Sequence, residues 1–195
     1  MKNMIKTLEQ RTYTANEYLE FEVNSEERHE YINGEIIQVS GGTPNHNKIA
    51  GNLFAHLNFS LKRQPYEVFV TDQRLWIPEK RIYTYPDIMV MIPPLKYAEG
   101  RRDTLTNPLM IVEVLSKSTE AYDRGDKFAA YRTFSSFQEY VLINQYTLQV
   151  EQYTRIEPQK WTFLEYTSSD AILSFSTVPV EVELLDIYDK VDFES

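Results

Sequence analysis

Cysteine is missing from all 195 residues. Its absence excludes disulfides and thiolate zinc sites, and nothing argues for an oxidising compartment. No apolar run approaches the roughly 18 residues a membrane span requires. The first residues, Met1-Lys2-Asn3-Met4-Ile5-Lys6, hold no hydrophobic signal core. The expectation is a cytoplasmic protein with no membrane partner. Positive charge is scarce: 20 Lys and Arg face 29 Asp and Glu, a net charge of −9. Affinity for nucleic acid comes largely from neutralising phosphates with Lys and Arg. The global balance therefore gives a nucleic-acid function no support, and only a local basic patch could supply it.

The length and a 42% hydrophobic content suit one globular domain over residues 1–195. Thr14, followed three residues later by Glu17, forms a capping box ahead of a short helix to about Val23. Residues 30–40 read as a hairpin turning at Asn33-Gly34, a strong local hairpin signal. After a break at Gly41-Gly42-Thr43-Pro44-Asn45, the spacing of Ile49, Leu53, Leu57 and Leu61 predicts a helix from about His46 to Lys62. Strands are expected at Glu67–Val70, near Arg74–Ile77, at Tyr83–Ile92 and at Leu109–Ser116, with a loop over Pro93–Pro108. A second long helix is predicted at Ser118–Phe134, then a buried strand at Glu139–Ile143. Residues 145–195 read as antiparallel strands that extend a core over about 12–144. The whole is α/β or α+β: a mixed sheet flanked by helices, with an added N-terminal hairpin and added C-terminal strands.

Two of these strands carry the chemistry. Tyr85-Pro86-Asp87-Ile88-Met89-Val90-Met91 and Met110-Ile111-Val112-Glu113-Val114-Leu115-Ser116 each place one carboxylate in an apolar run. Desolvating a charge costs several kcal/mol unless it is partnered. Neighbouring strands lie about 4.8 Å apart, so the two carboxylates would converge, and a divalent cation is the simplest partner for both. Two hard oxygen donors suit Mg²⁺ or Mn²⁺, which keep several waters and take one or two protein carboxylates. The other reading of Asp87 is a strand-end residue satisfied by backbone N–H groups. Lys127 has the ordinary role of an i, i+4 partner for Asp123 open to it, and Arg124 and Arg132 read as solvated helix charges. His46, at a helix start, is either a polar capping-turn residue or a ligand-binding group. His29 and His56 read as structural. His46 and His56 fall on different helix faces and make no metal pair. Gly41-Gly42-Thr43-Pro44 lacks the Gly-Lys-Ser/Thr of a phosphate loop and reads as a turn.

The order Tyr31-Ile32-Asn33-Gly34-Glu35-Ile36, Pro86-Asp87, Val112-Glu113-Val114-Leu115-Ser116-Lys117-Ser118-Thr119, Asp123-Arg124-Gly125-Asp126-Lys127-Phe128-Ala129-Ala130-Tyr131 and Tyr140-Val141-Leu142-Ile143 resembles the PD-(D/E)XK nuclease superfamily, and within it the Uma-type restriction endonucleases. That resemblance implies a restriction-endonuclease-like domain and a Mg²⁺-dependent or Mn²⁺-dependent endonuclease acting on DNA. Asp87 and Glu113 would be its metal ligands, with Glu35 completing the acidic set and Glu30 as the rival for that place. The superfamily pattern puts Lys two residues past Glu113, where this chain has Leu115. The resemblance implies that the Lys has migrated to the following helix as Lys127, with Lys117 the weaker candidate. Cutting both strands of a duplex would require two sites, so a homodimer is expected, with Tyr153, Trp161, Phe163 and Tyr166 as its candidate interface. The alternative is a nuclease fold that serves as a binding or assembly module with little or no catalysis. A hydrolase acting on a small phosphate ester comes third.

Overall fold

The computed structural model describes residues 11–193; the segment Met1-Lys2-Asn3-Met4-Ile5-Lys6 lies outside them. Helix α1 (Ala15–Val23) starts from the predicted capping box, with Thr14 and Glu17 bonded reciprocally. Strands β1 (His29–Ile32) and β2 (Glu35–Gln38) form the hairpin, with Asn33 and Gly34 both at positive φ. Helix α2 (Pro44–Ser60) begins two residues before the predicted start, because Thr43 caps it and Pro44 takes its first turn. Strands β3 (Glu67–Val70) and β4 (Arg74–Ile77) follow as expected.

The run Tyr83–Ile92 is not one strand. It divides into β5 (Ile82–Thr84) and β6 (Ile88–Met91), and the two halves belong to different sheets. Pro86 lies between them and has no N–H for a ladder. The expected loop at Pro93–Pro108 contains a short strand, β7 (Thr104–Leu105), parallel to β4. Strand β8 (Met110–Leu115) is buried along its whole length. The second long helix is shorter and less regular than predicted: α3 (Glu120–Tyr122), a π turn over Asp123–Lys127, and α4 (Phe128–Tyr131). Strand β9 (Glu139–Asn144) then runs parallel to β8. The chain closes with β10 (Val150–Glu157), β11 (Lys160–Tyr166), β12 (Ile172–Ser174), β13 (Glu181–Glu183) and α5 (Leu184–Ile187).

Two main sheets result. One has the order β2-β1-β5-β4-β7 and the other β11-β10-β9-β8-β6-β3. The six-stranded sheet separates two apolar cores, as strand alternation requires. Ile88, Val90, Met110, Val112 and Val114 pack beneath α2, whereas Met89, Ile111 and Leu115 pack with Tyr131 and Tyr140 beneath the α3–α4 segment. The C-terminal aromatics are largely turned inward: Tyr153 packs on Phe128, and the Tyr166 hydroxyl donates to Gln152. Phe163 stays half exposed on edge strand β11. No helix among the described residues is long and apolar enough to cross a membrane.

The hairpin turn gives a test of local strain. Gly34 has φ +107°, and a Cβ there would meet Thr12 Cγ2 at 2.5 Å. Gly51, inside α2, would meet nothing within 4 Å. Gly34→Ala is expected to lower the unfolding free energy by roughly 1–3 kcal/mol, and Gly51→Ala to raise it by up to about 1 kcal/mol. Urea denaturation of the two variants checks both signs.

Candidate active site

The β6–β8 ladder pairs Ile88 with Val112 and Met89 with Ile111. One rung further, where β6 begins, the same register sets Asp87 across from Glu113. The Asp87 backbone N–H points at Glu113 Oε2 at 3.4 Å, and Val114 N donates to Asp87 Oδ2 at 2.8 Å. Like charges directly opposite on paired strands are destabilising, so this pair requires compensation.

The compensation comes from both faces of the sheet. On one face the α3–α4 segment lays Asp123, Lys127 and Tyr131 over Glu113. Lys127 Nζ lies 2.9 Å from Glu113 Oε1, 3.4 Å from Asp123 Oδ1 and 3.9 Å from Glu30 Oε1. The Tyr131 hydroxyl donates to Glu113 Oε1 at 2.7 Å. Lys127 is seated in the π turn, a rare distortion frequent at functional sites. On the other face His46, in the first turn of α2, places Nε2 3.1 Å from Asp87 Oδ2. That turn is held down because the Thr43 hydroxyl donates to Gln145, whose amide donates to the Leu115 carbonyl at the end of β8.

Of the residues marked in the sequence, Asp87, Glu113, Lys127, His46 and Glu30 come together. Glu35 does not: it is exposed on β2, opposite Ile32, and makes no contact with the cluster. The reason is strand order, since β1 rather than β2 borders β5. Glu30 therefore takes the inner place, accepts the Thr84 hydroxyl, and faces Lys127. Lys117 is also outside; it is exposed, with its ammonium over the Tyr146 ring. Three members were not read as site residues. In the sequence Asp123 reads only as a helical partner for Lys127, and Tyr131 and Thr84 carry no signal of their own. The i, i+4, i+8 spacing of Asp123, Lys127 and Tyr131 was the available clue.

Burial pushes the Glu113 carboxyl up to about 8; the Lys127 ammonium opposes this, and the charges of Asp87 and Asp123 add to it. Burial works against the Lys127 charge, but Glu113, Glu30 and Asp123 outweigh it and hold the ammonium well above its ordinary value. For His46, burial likewise opposes protonation. The hydrogen bond and charge of Asp87 prevail, so its proton is held more tightly than usual. With every group ionised, four carboxylates (Asp87, Glu113, Asp123, Glu30) face two cations (Lys127, His46), leaving two uncompensated negative charges.

That surplus is the test of whether a cation fits. Among the described residues no three His, Asp or Glu side chains form a ready-made cage. Mg²⁺ does not require one, because it retains waters and binds through one or two carboxylates. Asp87, 15% exposed at its side chain, and Glu113 would supply such a pair.

Comparisons with known proteins agree with this architecture. Residues 15–187 match the profile of the Uma2 family, described as putative restriction endonuclease. Two Synechocystis proteins are similar over most of the chain. Sll1609 is 40% identical over 86% of this chain and 94% of its own length, and slr1290 is 35% identical over 80% and 81%. A crystal structure of a putative nuclease from Anabaena variabilis superposes with a TM-score of 0.72. It covers 89% of this chain and 96% of that one at 22% identity, which is a likeness of fold.

Two outcomes are expected from the site. Lys127→Met leaves a buried carboxylate without its cation and should cost about 3–5 kcal/mol of stability, most of it recovered in Lys127→Met/Glu113→Gln. The second concerns pH. Glu113 binds its proton more tightly folded than unfolded, so metal-free protein loses this contribution as pH rises from 4.5 to about 8. His46 acts in the same direction above 6.5. The stability of Glu113→Gln relative to wild type should therefore climb with pH across that window, as read by urea unfolding in chelator.

Proposed function

From membership of the Uma2 family of putative restriction endonucleases, to which this chain belongs, we propose that the protein is a divalent-metal-dependent endonuclease hydrolysing DNA phosphodiester bonds. The observation that carries this reading is the Asp87–Glu113 pair across the β6–β8 ladder with the buried Lys127 ammonium 2.9 Å from Glu113. Asp87 and Glu113 would hold Mg²⁺ or Mn²⁺. When bound, such an ion supplies positive charge for a phosphate oxygen and a more acidic water.

The chain's own groups divide the remaining work. Lys127, held charged by three carboxylates, is no general base at neutral pH. It acts as a fixed ammonium that orients a water or takes charge developing on a phosphate oxygen, where buried preorganised charge is most effective. Asp123, Glu30 and Tyr131 keep its chain and Glu113 in place. His46 fixes one Asp87 oxygen through Nε2, so the carboxylate is oriented before any ligand arrives. The acidic balance of the chain favours a second reading, a nuclease fold that binds without cutting.

Plasmid and single-stranded DNA incubated with Mg²⁺ or Mn²⁺ separate the two readings. Wild type is expected to cut, and EDTA to stop it. Asp87→Asn and Glu113→Gln should each lower the rate by at least about 10³-fold, and Lys127→Ala by about 10²–10³-fold. A wild type that leaves both substrates intact, with a melting temperature indifferent to EDTA, would give the binding reading its place.

A further inference from the structure

Asp87 stands where the chain passes between the two sheets. It does so twice there: from β3 to β4 through Thr71–Gln73, and from β5 to β6 through Tyr85–Asp87. The β3–β6 register pairs Val70 with Ile88, and Thr71 supplies the next rung by donating its N–H to the Asp87 carbonyl at 3.0 Å. At that rung the chain turns sharply. Asp72 N donates to the Val70 carbonyl at 2.6 Å, and Thr71 has φ +47°. A positive φ is a genuine outlier for a β-branched residue, and the positive-φ form of this three-residue turn is the strained one. Such strain persists only where the surroundings impose it.

The side chain that reaches this turn is Arg28, 44% exposed. Its Nη1 donates to the Thr71 carbonyl at 3.0 Å and pairs with Asp72 Oδ1 at 2.9 Å, and its guanidinium lies 5.9 Å from the centre of the Tyr85 ring. One side chain thus grips both sheet crossings without touching either carboxylate of the Asp87–Glu113 pair.

We infer that Arg28 is a positioning residue: by holding Thr71 in its left-handed turn it keeps the Thr71 N–H on the Asp87 carbonyl, and so keeps the Asp87 carboxylate across from Glu113. The consequence for metal binding rests on the proposed function; the consequence for Asp87 itself does not. Glycine adopts positive φ without a clamp, so the clamp and the strain should cancel when both are removed.

The test uses Arg28→Ala and Arg28→Ala/Thr71→Gly in the full chain, with two readouts. The first is exchange of the Val114 amide, whose N–H is bonded to Asp87 Oδ2. The second is Mn²⁺ affinity by calorimetry. Arg28→Ala is expected to speed Val114 exchange about tenfold and weaken Mn²⁺ binding severalfold, and the double variant to restore both. Rescue by Thr71→Gly is what a merely structural or phosphate-contacting Arg28 would not show. Unchanged Val114 exchange in Arg28→Ala, or no recovery in the double variant, overturns the inference whatever the metal does. Exchange that follows the expected pattern in a protein that binds no Mn²⁺ keeps the clamp and removes the cation reading instead.

Discussion

A carboxylate buried in the middle of a sheet obliges the rest of the molecule to answer it. Every residue of β8 is buried, and Glu113 is 4% exposed. In that setting an unpaired charge would cost several kcal/mol. Lys127 meets it from the helical segment above, and the demands then multiply. The ammonium is itself buried, so Asp123 and Glu30 close around it, and Tyr131 takes the remaining approach to Glu113 Oε1. The α3–α4 segment, Glu30 of β1 and Thr84 of β5 thus meet in one network around a single desolvated acid.

The second acid needs a different explanation, because Asp87 is at a strand start rather than within a strand. Pro86 removes the donor that would let β5 continue into β6, so the chain changes sheet there, and the first residue after the change lies opposite Glu113. A crossing between sheets leaves backbone groups beyond the ladders, and those groups are what hold the site. Val114 N reaches the Asp87 carboxylate and Thr71 N its carbonyl. The second continues the β3–β6 ladder by one rung, whereas the first is a backbone donor turned to a side chain.

This division also sets what was legible in the sequence. Alternation within β8 and the apolar surroundings of Glu113 identify it without reference to anything distant, and the capping box and Asn-Gly turn are equally local. The pairing of Asp87 with Glu113 follows once the two strands are taken as neighbours. Lys127 came from family resemblance, since a Lys four residues after an Asp has an ordinary surface explanation. The exchange of Glu35 for Glu30 could not be read, because it depends on which hairpin strand borders β5, a partner about 50 residues away in sequence. Likewise β7 is two residues long and owes its existence to β4. Arg28 left no trace, because its meaning lies in two turns distant from it in sequence.

The acidity of the chain looks different once the charges are placed. A net charge of −9 repels a polyanion at long range, and the site concentrates that sign, with four carboxylates against two cations. An organic phosphate has no favourable approach to this arrangement by itself. On the proposed reading, Asp87 and Glu113 would hold a divalent ion, whose charge would balance the sum of −2 reached when every group of the cluster is ionised. The Lys127 ammonium, paired with Glu113, Asp123 and Glu30 in the metal-free cluster, would then have charge to offer a phosphate. On that reading, metal binding and admission of a phosphodiester would be one electrostatic event, because the same ion that answers the carboxylates would remove the barrier to a polyanion.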